Sequence, residues 1–369
     1  MIKKYNQIVA YINGNLGDDL FVKILCDRYP KQKFIMCGAK RFKKLFGSID
    51  NLYYVSYDTI LLKVIFKINS IIRKIAHKPF INRNRKIINF LSRKVKCNIL
   101  ITGSWYIEDP GRLNTAKMEK VFYESKPYII NCNFGPYSSE EFYNTFLDYF
   151  SMSKWVSFRD KYSYDLFKNL DNVSYAPDVA CVIDVNSKRN NGSVIISVMN
   201  FAYIMDCVWE KIADKYYDKM KEIINYHLSN GQKVYIISFC KEQGDLQIAN
   251  KLKSEIDSEN VIVCDYEESG LTRSIQIMAD SDIIYASRFH SMMLGMILGK
   301  KVVPFSYSNK MDNVLADLNY DYLQYQADKM IDIAVEEFER IYVKLSKDKI
   351  EKLHSDAEKH FRMLDDELS

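Results

Sequence analysis

The sequence predicts an α/β protein made of two domains, each a parallel sheet covered by helices, with a cleft between the sheets and a helical C-terminal tail. Two observations carry this. Short apolar runs alternate with helical patterns in two separate series, which argues for parallel sheets covered on both faces. Between the series lies one polar segment, Asp184-Val185-Asn186-Ser187-Lys188-Arg189-Asn190-Asn191-Gly192. The length of 369 residues also exceeds one ordinary domain.

The first strand is read at Ile8–Ile12, running into Asn13-Gly14-Asn15-Leu16-Gly17-Asp18-Asp19 and then a helix. Further strands are expected at 33–37, 52–56, 98–102, 128–133 and 155–158, with helices at 139–151 and 162–169. After the polar segment the alternation restarts with strands at 193–199, 233–239, 261–265, 283–286 and 301–306. Helices are expected around 209–229 and 246–256 and from Ser291. Domains are therefore expected at 1–187 and 188–326. The segment 327–369 reads as a charged helical tail packing across both.

A hydrophobic fraction of 48% gives each half enough apolar side chains for a core, and seven prolines leave little room for disordered stretches. The cysteines are scattered in apolar runs without a CxxC pair, as buried small hydrophobes are, so neither disulfides nor zinc is expected. The opening Met1-Ile2-Lys3-Lys4-Tyr5 lacks an apolar h-region, and no stretch is long enough to span a bilayer. A cytoplasmic protein is the expectation. Between Leu61 and Lys96 stand eleven Lys or Arg and no acid. Its apolar residues recur at helical spacing, so the stretch is either a packed helix with a solvated basic face or a peripheral dock for an anionic inner leaflet. Aromatic residues are not interleaved with the bases there, which argues against nucleic acid.

Four places could carry chemistry. The Gly14–Asp19 turn permits close approach of a ligand, but it has neither dinucleotide nor Walker spacing. Asp18 and Asp19 there could cap the helix, accept bonds from sugar hydroxyls or act as a base, and motif shape alone favours capping. In Ser287-Arg288-Phe289-His290-Ser291, His290 alone of the five histidines sits at a strand-to-helix turn beside an arginine. It could exchange a proton near pH 7, and Arg288 could fork onto a carboxylate or phosphate; helix capping is the equal alternative. Arg159-Asp160 reads equally as a salt bridge. Lys310 alone reads as a solvated loop lysine. Asp280-Ser281-Asp282 mimics a metal-binding DxD but leads into a strand, where turn capping is the better reading. No hydrolase elbow or zinc cluster occurs, and no metal is expected.

Taken in order, these segments resemble the polysaccharide pyruvyl transferase family. The resemblance runs through Gly14–Asp19, Gly103-Ser104, Asn133-Phe134-Gly135-Pro136, Ser157-Phe158-Arg159-Asp160 with Ser163, and Pro177-Asp178. It continues through Ser238-Phe239-Cys240, Arg288-Phe289-His290-Ser291, and Tyr307 with Lys310, spanning roughly residues 8 to 318. Two departures stand out. The family's glycine pair reads Gly103-Ser104, followed by bulky Trp105-Tyr106 expected to reshape the acceptor pocket, and Arg-Leu-His reads Arg-Phe-His.

The resemblance implies two Rossmann-like domains in a GT-B-like plan, with phosphoenolpyruvate as co-substrate and no cofactor. It makes His290 the acid, with Arg288 and Arg159 clamping the donor and Lys310 and Ser291 beside them. Asn15, Asp18, Asp19 and Gly103 would face a glycan or lipid-linked oligosaccharide acceptor, with Asp18 as a candidate base. The alternatives are a nucleotide-sugar-dependent GT-B glycosyltransferase and a non-catalytic glycan-binding relative. The sequence leaves the oligomeric state and the acceptor sugar open.

Overall fold

The computed structural model describes residues 4–59, 83–185, 191–203 and 207–369. The chain forms two compact units. The first comprises Met1–Ile12, Asp18–Val182 and Ser355–Ser369, and the second Asn13–Gly17 and Ile183–His354.

The first unit is built on strands β1 (Asn6–Val9), β2 (Phe34–Gly38), β3 (Leu52–Ser56), β4 (Cys97–Ile101), β5 (Tyr128–Cys132), β6 (Trp155–Phe158) and β7 (Val173–Tyr175). Their order is β3-β2-β1-β4-β5-β6-β7, and every pairing is parallel. Every residue of β2, β4 and β5 is buried, whereas the edge strands β3 and β7 are partly exposed. Covering a parallel sheet on both faces requires this, so its inner strands are mostly apolar and their few polar residues, such as Asn98 and Asn131, are buried as well. The covering helices are α1 (Leu16–Arg28), α2 (Arg83–Ser92), α3 (Arg112–Glu124), α4 (Glu140–Met152) and α5 (Lys161–Phe167). In α4, Ser139 caps the start by accepting from Phe142 N at 3.2 Å, and Phe142, Phe146, Tyr149 and Phe150 form the buried stripe.

The second unit repeats the plan with β8 (Val194–Ser197), β9 (Val234–Ser238), β10 (Val261–Asp265), β11 (Ile283–Ala286) and β12 (Lys301–Pro304), in the order β10-β9-β8-β11-β12, all parallel. Its helices include α6 (Cys207–Ser229), α7 (Asp245–Ile256), α8 (Leu271–Asp280), α9 (Phe289–Ile297) and α10 (Asn309–Asp317). In both sheets the strand order reverses beside the first strand, so ligands are expected outside the carboxyl ends near β1/β4 and β8/β11.

Three differences from the sequence reading have physical reasons. Strand β1 lies earlier than expected because Asn6 and Gln7, although fully buried, export their amides: Asn6 Nδ2 donates to Gln32 Oε1 at 3.2 Å and Gln7 Nε2 to Ile88 O at 3.3 Å. Helix α8 passed unnoticed although Leu271, Ile275 and Met278 are buried at helical spacing. The tail is not one continuous helix. Between residues 327 and 346 helix is confined to the single turns Ala327–Met330 and Val335–Glu339, and Val343 exchanges backbone bonds with Val302 of β12 at 2.7 and 2.9 Å. Helix α11 (Lys347–Ala357) and helix α12 (Arg362–Leu368) follow. Arg28 forks onto Asp365 of α12 at 2.7 and 2.9 Å and meets Glu358 at 2.6 Å, fixing the last residues on the first unit. No helix among the described residues is long and apolar enough to cross a membrane.

Candidate functional site

In the first unit, Arg159 follows β6 and is held by residues from the ends of neighbouring strands. Its Nη1 meets Asp178 Oδ2 at 2.9 Å, and Nη2 donates to Asn133 Oδ1 at 2.9 Å and Ser104 Oγ at 3.3 Å. Gly103 lies so close that an added β-carbon would stand 2.6 Å from Nη1. The Arg159 side chain is 7% exposed and that of Asp178 3%, so this ion pair is desolvated. The neighbouring Asp160 caps α5, accepting from Ser163 N at 2.8 Å, while Ser163 Oγ accepts from Phe134 N at 2.8 Å. Arg159, Gly103, Ser104, Asn133 and Asp178 thus form one cluster at the carboxyl end of the sheet.

Behind it stands a residue that sequence reasoning passed over as part of a charged tail. His360 is fully buried, with Nε2 at 2.8 Å from Pro177 O and Nδ1 at 2.5 Å from Ser157 Oγ. Only a protonated Nε2 can donate to a carbonyl, so the neutral ring takes the serine proton at Nδ1. Burial pushes its pKa down to about 4. The ring joins the end of β6 to the residue preceding Asp178.

Trp105 and Tyr106 divide. Tyr106 turns into the core, 0% exposed, with its ring 4.9 Å from those of Phe146 and Phe150, so it does not shape a pocket. Trp105 meets the exposed Tyr11 edge-on at 6.5 Å.

In the second unit, Asn13–Gly17 joins the end of β9: Leu16 N donates to Phe239 O at 3.0 Å, and Asn15 bridges Cys240. Asn15 is also the residue that caps α1, its Oδ1 accepting from Gly17 N at 3.1 Å. Capping therefore falls to Asn15. Asp18 (half-buried) and Asp19 (buried) occupy the first helical turn, where an acid is favourable against the helix dipole. Cys240 N in turn donates to Asp245 Oδ2 at 3.0 Å.

Asp245 holds Arg288, which contacts both its oxygens, through Nε at 3.0 Å and through Nη2, and reaches Gln243 through Nη1. The Arg288 side chain is 7% exposed and that of Asp245 0%. Burial raises the Asp245 carboxyl and Arg288 pulls it back, while Asp245 holds the guanidinium protonated despite its own burial. Tyr307 lies close enough for Arg288 to lower a hydroxyl that burial raises.

Arg288 is the N-cap of α9 yet supplies no side-chain cap, and His290 and Ser291 stand in the first turn, 8% and 0% exposed. Ser291 Oγ is buried without a hydrogen-bond partner among the described residues. A β-carbon on Gly17 would fall 1.8 Å from His290 Nδ1. Lys310, half-buried, lies in the first turn of α10, whose N-cap Ser308 again gives no side-chain cap. Cationic, hydroxyl and imidazole groups near helix starts without a side-chain cap are of the kind that could hold an anion and exchange a proton.

Asn15 and Arg288 are thus joined through Cys240 and Asp245 in the second unit, His290 stands against Gly17 with Ser291 next to it in the first turn of α9, and Lys310 lies at the neighbouring strand end. Arg159 and Gly103 share the first-unit cluster, and Asp18 and Asp19 are counted with that unit. Asp280 closes α8 and Asp282 opens β11, at the end of the sheet remote from these residues. No group of acids, histidines and cysteines among the described residues could hold a metal. Most of the basic stretch, residues 60–82, lies outside the described residues.

Solved structures share the fold across nearly the whole chain. The UDP-GlcNAc 2-epimerase from Neisseria meningitidis bound to UDP-GlcNAc is 11% identical, covers 98% of each chain and gives a TM-score of 0.56. The putative enzyme from Listeria monocytogenes is 7% identical over 98% of this chain and 95% of that one, TM-score 0.54. The Methanocaldococcus jannaschii enzyme is 8% identical over 98% and 99%, TM-score 0.52. At such identities the likeness establishes the GT-B-like α/β fold alone. No curated protein is significantly similar in sequence. The model of the polysaccharide pyruvyl transferase family matches residues 15–309, which takes in both clusters from Asn15 to the start of α10, and the chain belongs to that family.

Proposed function

We infer that this protein transfers a pyruvate ketal from phosphoenolpyruvate to two hydroxyls of a cell-surface polysaccharide or its lipid-linked precursor. The observation that carries the donor assignment is the uncapped start of α9, where buried Arg288, His290 and Ser291 converge. Phosphoenolpyruvate carries a phosphate and a carboxylate, and such a site supplies the cation, hydroxyl and backbone donors both need. Arg159 keeps the donor-binding role that the family resemblance gives it, and Lys310 a secondary one.

In the reaction, His290 protonates the methylene carbon of the enol, making it a methyl group and leaving an oxocarbenium-like centre. A sugar hydroxyl attacks that centre and phosphate leaves; a second hydroxyl closes the ketal. One hydroxyl proton returns to the imidazole and the other departs with phosphate, so the enzyme ends as it began. Asp18 is the candidate acceptor-side base, with Asn15, Asp19 and Gly103 as candidate acceptor contacts.

Calorimetric titration of phosphoenolpyruvate tests this without an acceptor. Micromolar-to-millimolar binding is expected in the wild type, lost in Arg288→Ala and largely kept in His290→Ala. An isotherm with UDP-GlcNAc and none with phosphoenolpyruvate would transfer the assignment to nucleotide-sugar-dependent glycosyl transfer.

A further inference from the structure

In a parallel sheet, the segments entering the strands all lie at one end, opposite the carboxyl ends that carry the clusters above. In the first unit that end is basic. The segments entering the adjacent strands β2, β1 and β4 carry Lys31 and Lys33, Lys4, and Arg93, Lys94 and Lys96, all exposed. Backbone bonds tie the three together: Asn6 N donates to Lys33 O at 2.8 Å and Lys96 N to Tyr5 O at 2.9 Å. With neighbouring strands about 5 Å apart, the six bases are rooted on strand ends only about 10 Å across.

The acids nearby do not balance them. Asp50 precedes β3, Asp27 and Glu124 at the ends of α1 and α3 pair with Lys23 and Lys120, and in the C-terminal helix α12 Asp365 is held by Arg28 and Glu367 by Lys154, leaving Asp366.

Aromatic rings stand among these bases. Tyr53 and Phe90 are 59% and 57% exposed, and Tyr53 lies 6.2 Å from Tyr5, over which Lys4 Nζ sits at 5.9 Å. Phe90 lines a shallow groove with Lys86, Arg93, Lys94 and Val121.

The second unit serves as an internal control. Its backbone makes corresponding bonds at this end, Val194 N to Lys233 O at 2.9 Å and Asp282 N to Ser193 O at 3.0 Å. Yet among the described residues entering its strands, the bases Lys233, Lys300 and Lys301 stand with four acids, Asp257, Glu259, Asp280 and Asp282, and Asp282 and Asp280 act on Lys300. The fold itself therefore does not demand an excess of bases there, and helix C-termini, which lie at this end of both units, do not account for the difference.

We propose that the strand-entry end of the first unit is a docking surface for an anionic lipid bilayer. A field of bases spread over several strand ends matches a two-dimensional anionic surface, and exposed Tyr53 and Phe90 suit the headgroup boundary, where amphipathic and aromatic rings settle. A single nucleic-acid strand is instead held in a groove with bases stacked in succession on aromatic platforms, a different layout from rings scattered among bases.

The test is co-sedimentation of the full chain with vesicles of phosphatidylglycerol and phosphatidylcholine in equal parts, and with phosphatidylcholine alone. Wild type should bind the anionic vesicles, release as salt rises and ignore the neutral ones. Lys33→Gln/Arg93→Gln/Lys94→Gln/Lys96→Gln should weaken binding at least about tenfold, Phe90→Ser should weaken it less, and Lys233→Gln should leave it unchanged. Equal binding by the quadruple variant, equal binding to neutral vesicles, or tighter binding to duplex DNA at the same salt each overturns the proposal.

Discussion

Gly17 and His290 occupy one space: a β-carbon on the glycine would stand 1.8 Å from Nδ1 and 2.1 Å from Cγ of the imidazole. Gly17→Ala must therefore displace the ring or the turn, and overpacking of this kind costs about 1–3 kcal/mol. Turnover is expected to fall at least about tenfold, because displacing His290, the proposed acid, takes it away from the carbon it is proposed to protonate. Gly47, whose added β-carbon would meet ordinary contacts from 3.4 Å, is the control. Wild-type turnover and melting in Gly17→Ala would show that the close approach has no consequence.

Arg159→Ala would leave Asp178 charged and buried. Breaking a desolvated pair from one side typically costs about 3–5 kcal/mol. Arg159→Lys should restore little, because an ammonium cannot meet Asp178, Asn133 and Ser104 together in the planar geometry of a guanidinium. Adding Asp178→Asn to Arg159→Ala should recover much of the loss in urea unfolding. If the double variant is as unstable as the single one, the stranded carboxylate is not the cause.

The neutral His360 makes stability depend on acid. Its folded pKa of about 4 lies below the 6.5 usual for a histidine, so the unfolded chain binds the proton first as pH falls. Stability is full above about pH 6.5 and declines as pH falls toward 4, by up to about 3 kcal/mol. His360→Gln can keep a bond to Pro177 O without titrating. The wild type's stability relative to this variant should rise between about pH 4 and 6.5, a window above the one in which a salt-bridged aspartate acts, and parallel curves from pH 4 to 7 would remove His360 from this role.

Asp245→Asn takes the counter-charge from Arg288. The predicted outcome is a loss of about 3 kcal/mol or more in stability, together with weaker phosphoenolpyruvate binding as the guanidinium loses its fixed fork. Gln243→Ala, which removes a neutral contact, should affect both far less. Calorimetry and melting on the same two variants separate these expectations, and equal effects would mean that charge is not what places Arg288.

What could be read in the chain followed how locally each feature is encoded. The strand-to-helix turn that carries Arg288 and His290 was legible because the strand, the turn and the helix start lie within a few residues of one another. Phe158-Arg159-Asp160 was misleading for the same reason: the nearest acid in sequence caps a helix, while Asp178, which pairs with Arg159, arrives from the next strand. His360 was invisible because Ser157 is 203 residues away and its surroundings alternate in charge like a solvated helix. Asn6 and Gln7 hid the start of β1, since polarity reads as exposure until the bonds that bury it are known. Tyr106 looked like a pocket residue beside a glycine, but only the packing of Phe146 and Phe150 shows which way it turns.

The interleaving of the two units bears on how the protein is made. The first unit incorporates Ser355–Ser369, which the ribosome adds only after the whole of Ile183–His354. Arg28, Tyr29 and Ser157 therefore wait through the synthesis of another domain for Asp365 and His360. Domains usually fold in the order in which they emerge; here the first to begin must be the last to finish, and the second, needing only Asn13–Gly17 from upstream, can close before it.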